Sequence, residues 1–112
     1  MIKLIVAIKR RAGISPEAFR DYWRTRHSAK VKAAACSQRY IHRYVQCHTL
    51  LADYANGEPA FDGTAELWFD SVTDCDAFFT DPEYLATIAP DEKEFADMEA
   101  TKFFRTEEFP VI

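Results

Sequence analysis

His27 combines a side chain that exchanges protons near neutral pH with a position that points it towards the protein interior. It lies on a predicted amphipathic helix whose inward face repeats every four residues: Phe19, Trp23, His27 and Val31. Charged residues such as Arg24 lie off this face, so the face is predicted to be buried. The spacing leaves two interpretations open. His27 is either a general acid–base residue or a core histidine held by one hydrogen bond.

A second group of polar and aromatic side chains alternates along residues 40–50, which read as a strand. One face of this strand carries Tyr40, His42, Tyr44, Gln46 and His48. From that face, Tyr44 or His42 would polarise or position a substrate, with Tyr40 beside them. The mixed polarity is typical both of a strand lining a cleft and of a strand at a subunit interface. The sequence does not decide which face meets the helices.

Glu66 and Trp68 share one face of another predicted strand, over residues 64–69. A carboxylate in the middle of a strand is costly to bury alone. Glu66 is therefore expected either to pair with Arg43 or to orient a catalytic histidine. Trp68 is expected to form the aromatic wall of a pocket together with Trp23 and Tyr22, and ordinary core packing is the alternative.

Strands and helices must position these candidate residues, and turn signals divide the chain into such elements. Strands are predicted at residues 2–9, 40–50, 64–69 and 102–106. Helices are predicted from Ser15-Pro16-Glu17 to residues 34–36, from Ser71 or Thr73 to Phe79, and from about Glu83 through residues 92–99 with a possible break at Pro90. A loop with a turn at Asn56-Gly57 spans residues 51–63.

The resulting order, β-α-β-β-α-β, predicts an α+β fold of the ferredoxin-like type, with helices on one face of a four-stranded antiparallel sheet. Residues 1–112 are expected to form a single domain. The uncovered face of the sheet would remain exposed, so we predict a homodimer that buries it.

Composition excludes several classes of function. Residues 1–50 contain eleven Lys/Arg and two Asp/Glu, whereas residues 51–112 contain three and sixteen, so the two halves are expected to neutralise each other rather than bind nucleic acid. No apolar segment has the length of a membrane span. Three scattered cysteines suggest neither disulfides nor a zinc site, and a cytoplasmic location is expected. No metal site is predicted.

Two segments of the chain carry distinctive motifs. The first is residues 14–27, which end in Tyr22-Trp23-Arg24-Thr25-Arg26-His27, and the second is residues 62–71, Asp-Gly-Thr-Ala-Glu-Leu-Trp-Phe-Asp-Ser. Both motifs resemble signatures of the EthD family, and the resemblance extends over nearly the whole chain. It implies a dimeric α+β barrel, in which small cyclic or aromatic substrates bind in a cleft between the helices and the sheet.

The resemblance also implies roles for individual residues. His27 matches the histidine that ends the helix signature, and Asp62, Glu66 and Trp68 match the strand signature, which implies a place in the substrate site. The methylisomerase-like members carry a cysteine directly before the tryptophan, where this chain has Leu67. Chemistry that depends on that thiol is therefore not expected here.

The expected function is that of a cofactor-independent lyase or isomerase, of the dehydratase or cyclase type, acting on a small aromatic, polyketide-like or lactone substrate. His27 would transfer the proton, and no cofactor is expected. One alternative is a cofactor-free or haem-dependent monooxygenase of the same superfamily. A second alternative is a non-catalytic protein that binds a hydrophobic metabolite and accompanies an oxidative degradation system.

Overall fold

Four strands form the sheet of the computed structural model, which describes all 112 residues. They are β1 (Ile2–Ile8), β2 (Ile41–His48), β3 (Gly63–Phe69) and β4 (Lys102–Thr106). The strand order is β2-β3-β1-β4, and every neighbouring pair is antiparallel. Helical segments follow β1 and β3, so the predicted ferredoxin-like α+β fold is confirmed.

The first helix, α1 (residues 16–33), begins as predicted. The Ser15 side chain accepts a hydrogen bond from the backbone N–H of Ala18 at 3.0 Å, and Pro16 occupies the first turn. The helix is α-helical over Pro16–Tyr22, forms a π turn over Trp23–His27, and is α-helical again over Ser28–Ala33.

The π turn keeps the predicted inward face of α1 in line. A spacing of four residues drifts by about 40° per step around an ideal α-helix. Hydrogen bonds in a π turn span five residues, so the wider turn offsets part of that drift. All four side chains of the face are at most 6% exposed: Phe19, Trp23, His27 and Val31. The buried face was predicted, and the π turn was not.

A short helix, α2 (Ala35–Tyr40), stands where the sequence suggested the approach to a strand. Tyr40 therefore ends a helix and does not lie in β2, which corrects the predicted strand start. The pairing of β2 with β3 also shifts between Ile41 and Arg43, which lie opposite Phe69 and Trp68, respectively. His42 is the extra residue of this bulge, and the alternation of side chains restarts after it.

The helices after β3 follow the prediction at first and then depart from it. The helix α3 (Val72–Thr80) is capped by the side chain of Ser71, the first of the two starts that the sequence left open. The next helix, α4 (residues 84–92), consists of a π turn over Tyr84–Ile88 and an α-helical turn over Ala89–Glu92.

The predicted continuation of α4 to residue 99 is wrong. Backbone groups there bond to the segment after β1 instead: Asp97 N–H donates to the Lys9 carbonyl and Phe95 accepts from Arg11 N–H, each at 2.8 Å. These contacts replace the bonds that a longer helix would have made.

The two faces of the sheet have different environments. Leu4, Val6 and Ile8 of β1 point towards the helices and are buried in the core. The opposite face, called the outer face below, is covered by no helix and carries Lys3, Glu66 and other β2–β4 side chains. None of the helices combines the length and apolar character needed to cross a membrane.

Candidate active site

His27 and Asp91 form a buried pair between α1 and α4. Nδ1 of His27 lies 2.8 Å from Oδ2 of Asp91, and the two residues are 6% and 3% exposed. The carboxylate makes Nδ1 the protonated nitrogen, because only an N–H can donate to it. Nε2 makes no hydrogen bond within the chain and retains a free lone pair. The pair thus resembles the histidine–carboxylate unit that orients a general base.

Asp91 is held as a carboxylate by several donors. The Tyr22 hydroxyl donates to it at 2.6 Å and the Lys30 ammonium at 3.0 Å, in addition to His27. Burial alone would raise the pKa of Asp91, but these hydrogen bonds outweigh it and hold the pKa below its ordinary value. Burial likewise lowers the pKa of His27, against the opposing effect of Asp91. The imidazole is therefore neutral at neutral pH.

Both members of the pair depend on π turns for their positions. His27 is the last residue of the turn in α1, and Asp91 follows closely after the turn in α4. The Trp23 carbonyl accepts the Ser28 backbone N–H across the first turn, and it also accepts hydrogen bonds from Ser28 Oγ at 2.9 Å and Gln46 Nε2 at 3.0 Å. Gln46 thereby fixes the His27 turn to β2 of the sheet. Single π turns of this kind are frequent at functional sites.

An apolar cavity of about 50 Å³ lies between the helices and the sheet, next to His27. Its lining is mostly hydrophobic and includes Val6, Trp23, Val31, Leu67, Phe79, Phe95 and Phe103. The polar lining residues are His27, Tyr44, Glu92 and Thr101. A few polar groups in an apolar pocket are typical of small-molecule sites.

Glu92 is the second titratable group of the cavity. Its Oε1 accepts a hydrogen bond from the Tyr84 hydroxyl at 2.8 Å, and its other oxygen makes no hydrogen bond. Burial raises the pKa of Glu92 to about 7, and the charge on Asp91 contributes in the same direction. Near neutral pH the cavity therefore contains both a free imidazole base and a carboxyl group that can donate a proton.

Tyr44 presents an available hydroxyl proton to the same cavity. Its oxygen accepts a hydrogen bond from Gln46 Nε2 at 2.9 Å, and its own O–H has no acceptor within the chain. Burial raises the pKa of Tyr44, so the hydroxyl stays protonated and can donate to a substrate oxygen.

Trp23 forms the wall of the cavity near the start of β3. A Cβ added at Gly63 would lie 2.6 Å from the Trp23 ring, so glycine is required for the ring to pack there. The His48 ring also packs against Trp23, with ring centroids 4.4 Å apart and planes tilted by 40°, and burial lowers the pKa of His48 to about 4. The sequence placed Trp23 at a substrate site, and the ring lines the cavity.

Two predicted site residues of the β2 region lie outside the cavity. His42, at the bulge, is exposed, and its Nδ1 lies 3.6 Å from Asp70 Oδ1. Tyr40 ends α2 and stacks with Arg39. The expectation that one strand face brings them together with Tyr44 is wrong, because the bulge and the helix end interrupt the alternation.

Glu66 and Trp68 lie on the outer face, away from His27. Glu66 pairs with Lys3 at 2.5 Å rather than with Arg43 or a histidine. Trp68 Nε1 donates to Glu108 at 2.5 Å, and the Lys3 and Arg43 cations each lie 4.7 Å from the Trp68 ring. The expectation that Trp68 and Trp23 line one pocket is corrected, because the sheet separates them.

Asp62 is placed in a closed network rather than in the cavity. Its carboxylate accepts hydrogen bonds from the backbone N–H of Arg10 at 2.7 Å, the Arg10 guanidinium at 2.7 Å and the Tyr54 hydroxyl at 2.6 Å. The side chain is 0% exposed. Asp62 thus secures the loop before β3, which includes the 3₁₀ helix Leu51–Asn56, to the end of β1.

Neither Asp91 nor Glu92 was predicted as a site residue, although the sequence contains a signal for Glu92. Tyr84, Ile88, Glu92 and Phe95 recur at helical spacing, so an acidic side chain interrupts an apolar face. Tyr22, predicted at the substrate site, does not line the cavity and instead holds Asp91.

One group of possible metal ligands lies away from the cavity. Side-chain atoms of Cys36, Asp81 and Glu83 approach within 4.8 Å of one another. The Glu83 carboxylate already accepts the backbone N–H groups of Ala35 and Cys36, at 3.3 and 2.8 Å. This arrangement caps the start of α2 and suits a structural role.

Comparison with known proteins gives a match to one family. The sequence model of the EthD domain matches residues 11–99. This range contains His27, Asp91 and most of the residues that line the cavity. No match was found among functionally curated proteins.

Solved structures share the fold at low sequence identity. An EthD family protein from Bacillus halodurans has a TM-score of 0.72 at 17% identity, with 97% of this chain and 99% of that chain covered. A dimeric protein of unknown function with a ferredoxin-like fold, from Bacteroides fragilis, has a TM-score of 0.69 at 18% identity, covering 96% and 95%. A variant of SnoaB, a cofactor-independent oxygenase from Streptomyces nogalater, has a TM-score of 0.64 at 9% identity, covering 99% and 95%.

Proposed function

The chain belongs to the EthD family, and on this premise we propose that it is a cofactor-independent lyase or isomerase that transfers a proton through His27. The observation that carries the proposal is the His27–Asp91 pair at the wall of an apolar cavity. Asp91 occupies Nδ1 and leaves Nε2 as the only proton acceptor of the ring. A neutral, oriented imidazole is the form that removes a proton from carbon.

The other polar groups of the cavity supply the rest of the chemistry. Tyr44 would donate its free hydroxyl proton to a substrate carbonyl or phenol, which stabilises the charge that develops when the proton leaves carbon. Glu92, with a pKa of about 7, would return a proton to carbon in an isomerisation or to a leaving hydroxyl in a dehydration.

The composition of the cavity lining favours small apolar or aromatic substrates. Trp23 and Phe95 offer flat hydrophobic surfaces beside His27, which is typical of sites for planar rings. Exclusion of water by such a lining also strengthens the hydrogen bonds that Tyr44 and Glu92 make. The cavity volume of about 50 Å³ is smaller than a ring of this kind, so an aromatic, polyketide-like or lactone substrate would displace lining side chains on entry.

We further propose that the protein acts as a homodimer through the outer face of the sheet. No helix covers this face, and Phe104 on it is 49% exposed. Trp68 and its neighbours Lys3 and Arg43 would then become interface residues. The Bacteroides fragilis protein of the same fold is described as dimeric, which agrees with this proposal.

A proton-exchange assay tests the role of His27 without knowledge of the natural substrate. The probe is 2-tetralone, a bicyclic ketone with an activated C–H bond, incubated in D₂O and followed by proton NMR. The wild type is expected to accelerate the exchange, and His27→Ala is expected to reduce it by about a hundredfold or more. His42→Ala, an exposed histidine outside the cavity, is the matched control and should retain full activity.

Equal rates in wild type and His27→Ala would overturn the acid–base role. Binding of 2-tetralone without any catalysed exchange would instead favour a non-catalytic metabolite-binding protein. Line broadening of the ketone signals in the same NMR samples reports that binding.

A cofactor-free oxygenase is a second candidate, because SnoaB has a similar fold and is described as a cofactor-independent oxygenase. The same base in an apolar cavity would form a carbanion that reacts with oxygen. Oxygen uptake with anthrone, measured with an electrode, distinguishes this activity from simple proton transfer.

A further inference from the structure

Phe103 lies at the mouth of the His27 cavity, and we infer that its ring moves to admit the substrate and limits the size of the substrate that enters. The inference rests on the proposed function, because it concerns access to the same site. The cavity volume of about 50 Å³ is too small for an aromatic ring, so a lining side chain must move before such a ring binds.

Phe103 is the only exposed residue of the cavity lining. Its exposed fraction is 43%, whereas most other lining residues are buried and the rest are partly buried: Tyr44, Phe79, Glu92 and Met98. A side chain that lines an interior space and also contacts solvent lies at the boundary between the two. Phe103 therefore closes the cavity on the side of β4.

A groove on the protein surface meets the cavity at the same ring. The groove has a volume of about 320 Å³ and lies between β4 and α3, with a lining that includes Leu4, Cys75 and Phe79. It is called the β4 groove below. Phe79 and Phe103 line both the groove and the cavity, so these two rings separate the two spaces. Once the rings part, the joined space has the size of a small-molecule site.

The two separating rings are held to different degrees. Phe79 packs in an aromatic cluster, with its ring centroid 4.9 Å from that of Phe78 and 5.0 Å from that of Tyr84. Phe103 has one aromatic neighbour, Phe79, at 6.2 Å. Because Phe103 is already close to half exposed, turning it outward removes less apolar area from the interior than moving any other lining phenylalanine. Phe103 is therefore the ring that moves.

The backbone that carries Phe103 is fixed, so the movement is one of the side chain. Thr106 Oγ1 donates to the Lys3 carbonyl at 2.8 Å, and the Lys9 N–H donates to Thr101 Oγ1 at 3.3 Å, which secures both ends of β4 to β1. On its other side β4 has no neighbouring strand, because it is the edge of the sheet. Rotation about the Cα–Cβ bond of Phe103 therefore carries the ring towards solvent without a change in the sheet.

The charges at the β4 groove indicate the kind of molecule that enters. Arg105 of β4 and Asp76 of α3 form an exposed ion pair at 2.9 Å and leave no net charge on the groove. The rest of its lining is apolar or a cysteine. A charged ligand would find no free counter-charge there, whereas a flat, uncharged ring loses little hydration on entry. Any bulky substituent on that ring must pass Phe103.

Fluorescence quenching tests the role of Phe103 without any substrate. The chain has two tryptophans, so Trp68→Phe leaves Trp23, which is 0% exposed and lines the cavity, as the only indole. Acrylamide is a small, uncharged quencher that a close-packed interior excludes. In this background Phe103→Ala is expected to raise the quenching constant of Trp23 by about threefold or more, because it removes the ring that closes the cavity. Phe103→Leu should give a smaller increase.

Two controls separate an open mouth from a loosened fold. Phe109→Ala deletes the same ring from an exposed position that lines neither space and should leave the quenching constant unchanged. Leu67→Ala enlarges the cavity from a buried position in the central strand β3 and should lower the melting temperature more than Phe103→Ala does. Quenching that follows the loss of stability, and is therefore greatest in Leu67→Ala, would overturn the role of Phe103. No increase in Phe103→Ala would overturn it as well.

A pair of ketones tests whether Phe103 limits substrate size. 2-Tetralone and 6-methoxy-2-tetralone contain the same exchanging C–H bond and differ by one substituent at the far end of the ring system. The kcat/KM of the methoxy ketone relative to 2-tetralone is expected to rise about tenfold in Phe103→Ala, since the substituent no longer has to pass the ring. An unchanged ratio would show that Phe103 does not select substrates by size.

Failure of this inference and failure of the proposed function give different results. If wild type catalyses no exchange but Phe103→Ala exposes Trp23 to acrylamide, the mouth of the cavity is identified and the proton-transfer role of His27 is refuted. If exchange depends on His27 while neither quenching nor the ratio of the two ketones responds to Phe103→Ala, His27 retains its role and the substrate enters elsewhere.

Discussion

Two buried aspartates, Asp62 and Asp91, have nearly the same local chemistry and different surroundings. Each accepts a hydrogen bond of 2.6 Å from a tyrosine hydroxyl, and each lies near a cation. The remaining partners of Asp62 are a backbone N–H and a guanidinium, which do not change protonation near neutral pH. The remaining partner of Asp91 is the imidazole of His27, a group that can gain or lose a proton near neutral pH.

The comparison shows what separates a structural carboxylate from a candidate functional one. All the hydrogen-bond partners of Asp62 belong to the protein and have no free side towards a cavity. Its network therefore secures a loop and offers no group that could exchange a proton with a ligand. The network of Asp91 continues through His27 to Nε2, which remains free beside a cavity. Burial and the direction of the pKa shift do not distinguish the two, because both carboxylates are buried and both have lowered pKa values.

The largest expected effect is on stability, from Asp62→Asn. The substitution leaves the Arg10 guanidinium without its buried counter-charge, so the free energy of unfolding should fall by about 3 kcal/mol. Urea denaturation measures the loss, and the exchange rate of the protein that remains folded should match the wild type. Glu58→Gln, at an exposed partner of Arg10, is the control. A stable Asp62→Asn variant without activity would reverse the assignment.

Asp91→Asn should have the opposite profile. The amide no longer fixes the tautomer of His27, so the rate of 2-tetralone exchange should fall by about a hundredfold. The free energy of unfolding should fall by only about 1 kcal/mol, because Lys30 is exposed enough to be solvated again. If Asp91→Asn instead causes a large loss of unfolding free energy and leaves the rate of 2-tetralone exchange unchanged, Asp91 has the structural role of Asp62.

Glu92→Gln should change the pH dependence of stability. The pKa of Glu92 in the folded protein is about 7, above its ordinary value of 4.5, so the native state disfavours ionisation. The stability that this group contributes is complete below pH 4.5 and is lost as the pH rises through 7. The variant should therefore exceed the wild type by on the order of 2 kcal/mol at pH 8.5 and should not exceed it at pH 4.

Thermal unfolding across this pH range checks the prediction for Glu92. The exposed neighbour Glu94→Gln is the matched control and should show no such difference. Parallel curves for wild type and Glu92→Gln would mean that Glu92 is solvated in the folded protein.

The smallest expected effects come from a matched pair of hydroxyl deletions. Tyr54→Phe and Tyr22→Phe each remove one hydrogen bond to a buried carboxylate and should each cost about 1.5 kcal/mol in unfolding free energy. Only Tyr22→Phe should also shift the pH profile of 2-tetralone exchange, because Tyr22 shares Asp91 with His27. An equal shift from Tyr54→Phe would remove the distinction between the two networks.

Local signals predicted much of the fold. The strands at β1, β3 and β4 were predicted within a residue or two, because alternation and turn residues act over short distances. The Ser15 and Ser71 caps were readable for the same reason. The end of α4 was not, since Asp97 and Phe95 bond to the chain after β1, far away in sequence.

The candidate site was predicted only in part. His27, Trp23 and Tyr44 line the cavity, as their positions on an aromatic helix face and a polar strand face suggested. The assignments of Glu66 and Trp68 depended on which face of β3 meets the helices, and one strand read alone does not contain that information. The prediction for His42 depended on strict alternation of side chains along β2, which a single bulge interrupts.

The sequence by itself determined the order of strands and helices, the buried face of α1 and the presence of a histidine on that face. These properties follow from spacing within single elements. The tertiary structure decided that His27 forms a hydrogen bond with Asp91, 64 residues away, and that Asp62 accepts hydrogen bonds from Arg10 and Tyr54. The physical reason is that a buried carboxylate needs partners, and only the packing of α1 against α4 and of β1 against the loop before β3 determines which ones are within reach.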